Sequence, residues 1–547
     1  MSHGEFKTQF GETIFRYKYA LGAGDTWSKL ADRLVEDVTG SRWGTQPVLM
    51  SDGDRKQLAQ YIREFKFIPG GRYLYYAGRE YKAYNNCYLL RAEEDTREEW
   101  SAVTWRAMSC LMTGGGIGID YSRLRPAGKA LSRTGGTASG PIPLMYAVNE
   151  IGRNVMQGGS RRSAIYASLN WQHEDIDSFL TAKNWSPAVR QLKEQDFNFP
   201  APLDMTNISV NYDDAALVGG LENNKVFMTN VRQALKTGEP GFSFNFGDKQ
   251  NETLRNACTE VTSEDDSDVC NLGSINLGRI ETIEEFQAIV SLASKFLVCG
   301  TLRADLPYDK VYKVREKNRR LGLGLMGIHE WLLKRNAGYE VTDELKEWLK
   351  VYQDESKRSA DEHCDRFFIS RPVAYRAIAP TGSIGILAGT TTGIEPLFAV
   401  AYKRRFLTEG TKWKYQYVID GTASTLIKEY GVKPEDIDTA LDLSTDYEKR
   451  IKFQADIQDY VDMSISSTIN LDAWGSDSNN ERHVNEFAGV LAKYAPRLRG
   501  FTCYPNGARG GQPLTAVPYE EALANGDTVH DETVDICDLT GGGTCGS

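Results

Sequence analysis

Cys258 lies in the run Asn256-Ala257-Cys258-Thr259-Glu260, and Cys270 heads the run Cys270-Asn271-Leu272-Gly273-Ser274-Ile275-Asn276-Leu277. The first run sets a thiol two residues from an amide on one side and two from a carboxylate on the other. A negative neighbour raises a thiol above its ordinary pKa of about 8.5 and disfavours the thiolate. Such a cysteine suits neutral hydrogen-atom donation better than attack as an anion. The second run puts a thiol at the head of the apolar–polar alternation of a half-buried strand. Two core cysteines near a loop is the plain alternative, and it weakens as further motifs accumulate.

Cys87 sits in Asn85-Asn86-Cys87-Tyr88. If a barrel brought Cys87 and Cys270 within the ~4.4–6.8 Å Cα separation of a disulfide, the pair could supply two electrons by closing. Sequence alone leaves this as one of many pairings that nine cysteines allow. Two more thiols, Cys537 and Cys545, flank Gly541-Gly542-Gly543 at the chain's end. That composition is flexible, and two thiols on such an arm suggest a shuttle for reducing equivalents. A frayed end is the other reading.

Several segments could meet an anion. Gly114-Gly115-Gly116-Ile117-Gly118 precedes Asp120-Tyr121-Ser122-Arg123-Leu124-Arg125-Pro126, and Gly158-Gly159-Ser160-Arg161-Arg162 follows later. Glycine permits close backbone approach and arginine offers forked donors to phosphate, yet neither segment has a Rossmann or P-loop context. Gly322-Leu323-Gly324-Leu325-Met326-Gly327 fits GxGxxG by letter but follows the basic run Lys317-Asn318-Arg319-Arg320, so a dinucleotide site there is weak. Ala379-Pro380-Thr381-Gly382-Ser383-Ile384-Gly385 could present N–H and O–H groups to an anion at a turn or helix start. A structural turn is the simpler reading of each.

The elements that must position these residues read as α/β. Thr26 to about Phe67 is helical, with Leu30, Leu34, Leu58 and Ile62 on its apolar face. From Cys87 to about Gly500, short apolar runs alternate with amphipathic stretches, as in βα repeats. Strands are expected at Thr206–Val210, Phe242–Phe246 and Ser274–Leu277. Helices are expected from Thr282, capped with Glu285 in a capping box, to Cys299, and over Asp343–Phe368, a charged, solvated stretch. No repeat of fixed period points to a solenoid.

With 547 residues at 41% hydrophobic, the chain can bury roughly two to four domains or one large α/β barrel. A net charge of −10 without a long basic stripe argues against a nucleic-acid binder. The polar start and the absence of an uninterrupted apolar run of ~20 residues indicate neither signal peptide nor membrane span. The cysteines form no CxxC pair, so a reducing cytoplasm is the expected compartment. The six histidines form no metal-ligand pair. Asp361-Glu362-His363 resembles the start of a DxHxxG cobalamin-ligand motif, but Arg366 replaces its glycine, and His363 is read as a helix-surface residue.

Together these segments resemble the catalytic chain of a ribonucleotide reductase, most closely the adenosylcobalamin-dependent class II enzymes. The resemblance runs from Pro69-Gly70-Gly71-Arg72 through Asn86-Cys87-Tyr88, the glycine-rich runs, Thr206-Asn207-Ile208-Ser209-Val210, the two cysteine runs and Arg320 to Gly327. It continues through Pro380 to Ser383, Gly393-Ile394-Glu395-Pro396 and Asn506 to Leu514. It implies a ten-stranded α/β barrel over 81–512, with a central finger loop carrying Cys258. A small helical region over 1–80 would precede it, and a flexible redox-active tail over 513–547 would follow.

The resemblance also implies roles. Cys258 becomes a thiyl radical that takes the 3′ hydrogen, Glu260 takes the 3′-OH proton, and Asn256 binds the sugar hydroxyls. Cys87 and Cys270 supply the reducing electrons. Cys537 and Cys545 then reduce that disulfide and are recharged by a thioredoxin- or glutaredoxin-like protein. Asn86, Asn207, Ser209, Pro380, Thr381, Gly382 and Ser383 hold the substrate's sugar and phosphates, and Gly158, Gly159, Ser160, Arg161 and Arg162 link a nucleotide effector (dNTP or ATP) to base choice. Class I chains carry a tyrosine pair where this chain has only Tyr504, within Arg499-Gly500-Phe501-Thr502-Cys503-Tyr504-Pro505, and no glycyl-radical motif of class III is seen. Adenosylcobalamin is therefore the expected cofactor.

The chain departs from the pattern in Ala257, where proline is commoner, and in the acidic Glu264-Asp265-Asp266 run. It also lacks an ATP-cone before Pro69. The short span from Cys87 to Cys258 points to a homodimer, and Pro69 to Arg72 resembles triphosphate-using members. The alternatives are a class I-type chain fed by a separate radical subunit and a non-catalytic nucleotide-binding regulator.

Overall fold

A computed structural model of the chain describes residues 5–41, 46–155, 163–196, 199–408, 412–508, 514–526 and 529–531. The strands are β1 (Phe67–Pro69), β2 (Cys87–Arg91), β3 (Gly116–Asp120), β4 (Ile165–Asn170), β5 (Thr206–Tyr212), β6 (Gly241–Phe244), β7 (Leu254–Arg255) and β8 (Thr262–Ser263). They continue with β9 (Asp268–Asn276), β10 (Leu321–Met326), β11 (Ala401–Thr408), β12 (Lys412–Ile419), β13 (Thr468–Leu471), β14 (Gly500–Pro505), β15 (Leu514–Ala516) and β16 (Val529–Asp531).

Ten of them make one large sheet in the order β1-β9-β2-β3-β4-β5-β6-β14-β13, with β10 on the other edge of β9. Strands β2 to β6 run parallel, whereas β9 is antiparallel to β2 and β14 is antiparallel to β6. Strand β10 follows β9, and β13 follows β14. The sheet thus has two parallel halves of opposite direction. Backbone hydrogen bonds go on from β10 to residues 374–377, through Leu321 N–H to Ala374 and Leu323 N–H to Tyr375. They then pass through Ile378 N–H to Ser464 and Ser466 N–H to Ile378, just before β13. The sheet curls upon itself by this route. In β2, β3, β4, β9 and β10 almost every residue is buried, as expected where helices cover a parallel sheet.

Helices complete the outer layer. Thr282 caps the helix Ile283–Arg303 by accepting the Glu285 N–H at 3.3 Å, but the Glu285 carboxylate turns to Lys66 at 2.5 Å, so the capping box is only half made. This helix is long and apolar enough to cross a bilayer, yet its Phe286, Ile289, Phe296 and Leu297 are buried in the core, where it packs on β9 and the helix Asp343–Arg366. That second helix buries Leu345, Leu349, Tyr352 and Ser356 together with the charged Glu355 and Asp361, and leaves Lys346, Lys350, Lys357 and Glu362 exposed.

The structure sharpens several local readings and reverses that of His363. The helical stretch from Thr26 is two helices, Trp27–Thr39 and Asp52–Arg63, because Ser51 starts the second by accepting the Asp54 N–H. The GxGxxG run is the buried strand β10 with no phosphate turn, and its glycines give room to neighbours: a Cβ on Gly322 would stand 3.2 Å from Cys270 Sγ. His363 is buried, not on the helix surface, with Nε2 3.3 Å from Cys299 Sγ, and burial lowers its pKa to about 4. The span read as a tail contributes β15, the helix Tyr519–Asn525 and β16, which flank the β11–β12 hairpin in the sheet order β15-β11-β12-β16. Likewise β1, within residues 1–80, belongs to the large sheet.

Candidate active site

Cys87 opens β2, Cys270 lies near the start of β9, and the antiparallel register sets them directly opposite each other. Opposed antiparallel residues hold their Cα atoms about 4.5–5.5 Å apart, within the reach of a disulfide. Both are buried free thiols.

The β7–β8 hairpin brings the other groups. Its turn is tightened by Thr259, which takes a left-handed φ of 70° and returns its N–H to the Asn256 carbonyl at 3.0 Å. Asn256 Oδ1 accepts the Val261 N–H at 2.9 Å, which fixes the amide so that Nδ2 donates to Cys87 Sγ at 3.0 Å. The Cys87 thiol donates to Glu260 Oε1 at 3.8 Å. The Glu260 carbonyl accepts the Ser464 N–H at 2.8 Å, tying the turn to the returning edge of the sheet. Cys258 is half-buried at the tip. Burial pushes the Cys87 thiol well above its ordinary range and Glu260 adds to the effect; at Cys270 burial again leads, followed by Asp268 and Glu260. Both are neutral thiols at neutral pH, the form that gives up a hydrogen atom or a proton with its electron.

Two glycines of β3 make room for the hairpin. A Cβ on Gly118 would fall 1.8 Å from the Arg255 carbonyl oxygen, and one on Gly116 would fall 3.0 Å from Ala257 Cβ. Arg255 is fully buried and donates to Asn245 Oδ1 at 2.8 Å and to the Arg499 carbonyl at 3.1 Å. Below it Glu252 receives Arg499 at 3.1 Å, Arg320 at 3.6 Å and the Thr262 hydroxyl at 2.6 Å. Burial alone would raise the Glu252 pKa, but Arg320 and Arg499 outweigh it and hold the carboxyl down at about 2. Arg320 also grips Asp268 at 2.8 Å, so the root of the hairpin and the start of β9 share one cation. Two carboxylates of the acidic run are likewise compensated, since Asp266 is buried against Lys310 and Arg106 and Asp265 meets Lys317 and Asn318, while Glu264 is exposed.

A cavity of about 790 Å³, counted to its open mouth, joins these groups to the second candidate segment. Asn86, Cys87, Asn256, Cys258 and Glu260 line it, as do Pro380, Thr381, Gly382 and Ser383. Thr381, in a left-handed conformation, starts the helix Gly382–Ala388 and accepts the Gly393 N–H at 2.8 Å. Asn207 and Ser209 are not among the lining residues: Asn207 is exposed on β5, and Ser209 is buried beside Gly241. Gly158, Gly159, Ser160, Arg161 and Arg162, and Cys537 and Cys545, lie outside the described residues. Sequence reasoning did not single out Tyr19, which lines the cavity, or Glu252. Neither stands in a motif, and only the fold brings them in.

This fold and this site define an α/β barrel enzyme built around a cysteine-tipped hairpin. The profile of the ribonucleotide reductase barrel domain matches residues 85–200, 211–351 and 371–493. The chain belongs to the ribonucleotide reductase family, and the reaction it serves is the reduction of ribonucleotides. A vitamin B12-dependent ribonucleoside-diphosphate reductase of Mycobacterium tuberculosis is 26% identical over 94% of this chain and 82% of its own length. A putative adenosylcobalamin-dependent ribonucleoside-triphosphate reductase of Mycobacterium phage D29 is 24% identical over 93% and 94%. Among solved structures, a B12-dependent class II ribonucleotide reductase superposes with a TM-score of 0.71 at 15% identity, covering 94% of each chain. The alpha subunit of the Actinobacillus ureae class Id enzyme gives 0.71 at 17%, covering 92% of this chain and 98% of its own.

Proposed function

We propose that this chain is an adenosylcobalamin-dependent reductase that converts ribonucleoside triphosphates to 2′-deoxyribonucleotides in the cytoplasm. The observation that carries the reading is that Cys258, Glu260, Asn256 and Cys87 line one cavity while Cys270 stands opposite Cys87. Triphosphates are favoured by the Pro69-to-Arg72 run and by the end-to-end match to the phage relative, which is named a triphosphate reductase.

Cys258, as a thiyl radical, takes the hydrogen atom from C3′, and Glu260 accepts the 3′-OH proton as general base. Asn256 orients the sugar hydroxyls, and Asn86 with Pro380 to Ser383 holds the phosphate side. The 2′-oxygen leaves as water once protonated. Cys87 and Cys270 each give one proton and one electron and close an S–S bond, and Cys258 returns its hydrogen atom to C3′. One ribonucleotide and two thiols thus become one deoxyribonucleotide, one disulfide and one water. Cys537 and Cys545 then reopen the disulfide, recharged by a thioredoxin- or glutaredoxin-like protein. A nucleotide effector acts through Gly158 to Arg162, and the working unit is a homodimer.

The wall beside Cys258 suits a large flat cofactor. Gly116, Ala164 and Ala257, all small, line the cavity together, a Cβ on Gly116 falling 3.0 Å from Ala257 Cβ and 3.5 Å from Ala164 Cβ. Adenosylcobalamin, when bound, supplies the one-electron chemistry that first makes Cys258 a radical.

Incubation of the purified chain with a dithiol and each of CDP and CTP, with and without adenosylcobalamin, tests the reading. Deoxycytidine triphosphate formed only with the cofactor is the expected result. Activity that needs no cobalamin but requires a second protein would replace it with the separate-radical-subunit reading.

A further inference from the structure

We propose that Lys18 reads the distal phosphate of the substrate, making the N-terminal helix part of the binding site; this rests on the polyphosphate substrate proposed above. The helix Gln9–Lys18 ends at the cavity. Tyr19, the next residue, is only 5% exposed and forms part of the wall, with its hydroxyl 3.1 Å from where a Gly71 Cβ would stand. Lys18 Nζ donates to Ser383 Oγ at 3.3 Å, and Ser383 lines the cavity.

Three features make this more than a helix-ending cation. The first is the polarity of the cavity. Among the lining residues Cys87 and Glu260 are buried and Gly382 is exposed, and the exposed Lys18 stands just outside, on Ser383. A nucleotide with its sugar at the thiols must send its charged tail toward the exposed end, because burying uncompensated phosphate charge is costly.

The second is the Ser383 hydroxyl. A hydroxyl has one proton and two lone pairs. With one lone pair occupied by the ammonium, its proton remains for an acceptor in the cavity, and a phosphate oxygen held there lies close to the lysine charge.

The third is rigidity. The N-terminal helix packs on the helix Gly382–Ala388, and a Cβ on Gly11 would sit 3.1 Å from the Ile386 carbonyl oxygen. This close approach fixes where the lysine stem begins. Lys18 is a positioning and affinity group for the phosphate tail and touches no reacting atom.

The test compares wild type, Lys18→Ala and Lys18→Arg by equilibrium dialysis of CMP, CDP and CTP, with KM and kcat for CTP measured in parallel. Loss of one exposed charge-assisted contact should weaken CTP binding roughly five- to twentyfold, CDP binding less, and CMP binding by less than about twofold. KM for CTP should rise by a similar factor while kcat at saturation stays within about twofold, and Lys18→Arg should recover most of the loss. Equal weakening for all three nucleotides, or unchanged CTP binding in Lys18→Ala, would overturn the proposal, as would arginine behaving like alanine. If wild type reduces neither substrate, the functional reading fails separately, since the dialysis measures binding without turnover.

Discussion

Gly118 on β3 and Arg255 on the hairpin approach so closely that a methyl group on the glycine would lie 1.8 Å from the arginine's carbonyl oxygen. Backbone, not a movable side chain, occupies that space, so Gly118→Ala must push the hairpin and its cysteine away from the opposed thiols. Overpacking of this kind costs about 1–3 kcal/mol. The expected outcome is a folded protein with a modestly lower melting temperature and a disproportionate loss of turnover, on the order of a hundredfold for a displacement near 1 Å. Paired calorimetry and rate measurements check it, and an unchanged rate would show that the hairpin is not held by this contact.

Replacing Cys258 by serine removes the sulfur proposed to carry the radical while keeping the size of the tip. Deoxynucleotide formation should fall below detection with nucleotide affinity retained. Product from the variant at wild-type rates would rule out the assigned role.

The shuttle assigned to Cys537 and Cys545 predicts a split between reductants. Their serine variants should stop after about one turnover with thioredoxin, because one disulfide is formed per product, yet continue with a small dithiol that reaches Cys87 and Cys270 directly. Equal loss with both reductants would refute the shuttle.

Glu252 gives a pH-dependent prediction. Its carboxyl is held at about 2 in the folded chain against an ordinary 4.5, so the folded state favours the ionised form. The stabilisation, roughly 3 kcal/mol, is fully present above pH ~4.5 and is lost as pH falls toward 2. The difference in urea stability between wild type and Glu252→Gln should therefore be constant from pH 7 to 5 and shrink as acid is added below that. A difference independent of pH would place the effect in packing.

Much of the site was legible because its signals are local. Asn256, Cys258 and Glu260 stand within five residues of one another, so one tight turn suffices to group them. The Cys87–Cys270 partnership needed the strand register, which sequence does not carry across so long an interval. The GxGxxG letters in β10 are a weak dinucleotide signal after a basic run, and their glycines serve instead where two strands and a thiol crowd together. His363 looked like a surface residue because its neighbours Glu362, Asp365 and Arg366 are charged, yet its own direction on the helix faces Cys299. Lys18 and Tyr19 carried no motif at all, since a short polar helix near a chain start resembles any other until its docking partner is known.

The facing thiols have one more implication. Because the register sets the two Cα atoms opposite each other, the disulfide proposed above would form between side chains and leave the hydrogen-bond ladder between β2 and β9 in place. On that proposed chemistry the barrel would pass between two oxidation levels without loosening its centre. Amide hydrogen exchange along both strands should be equally slow in each.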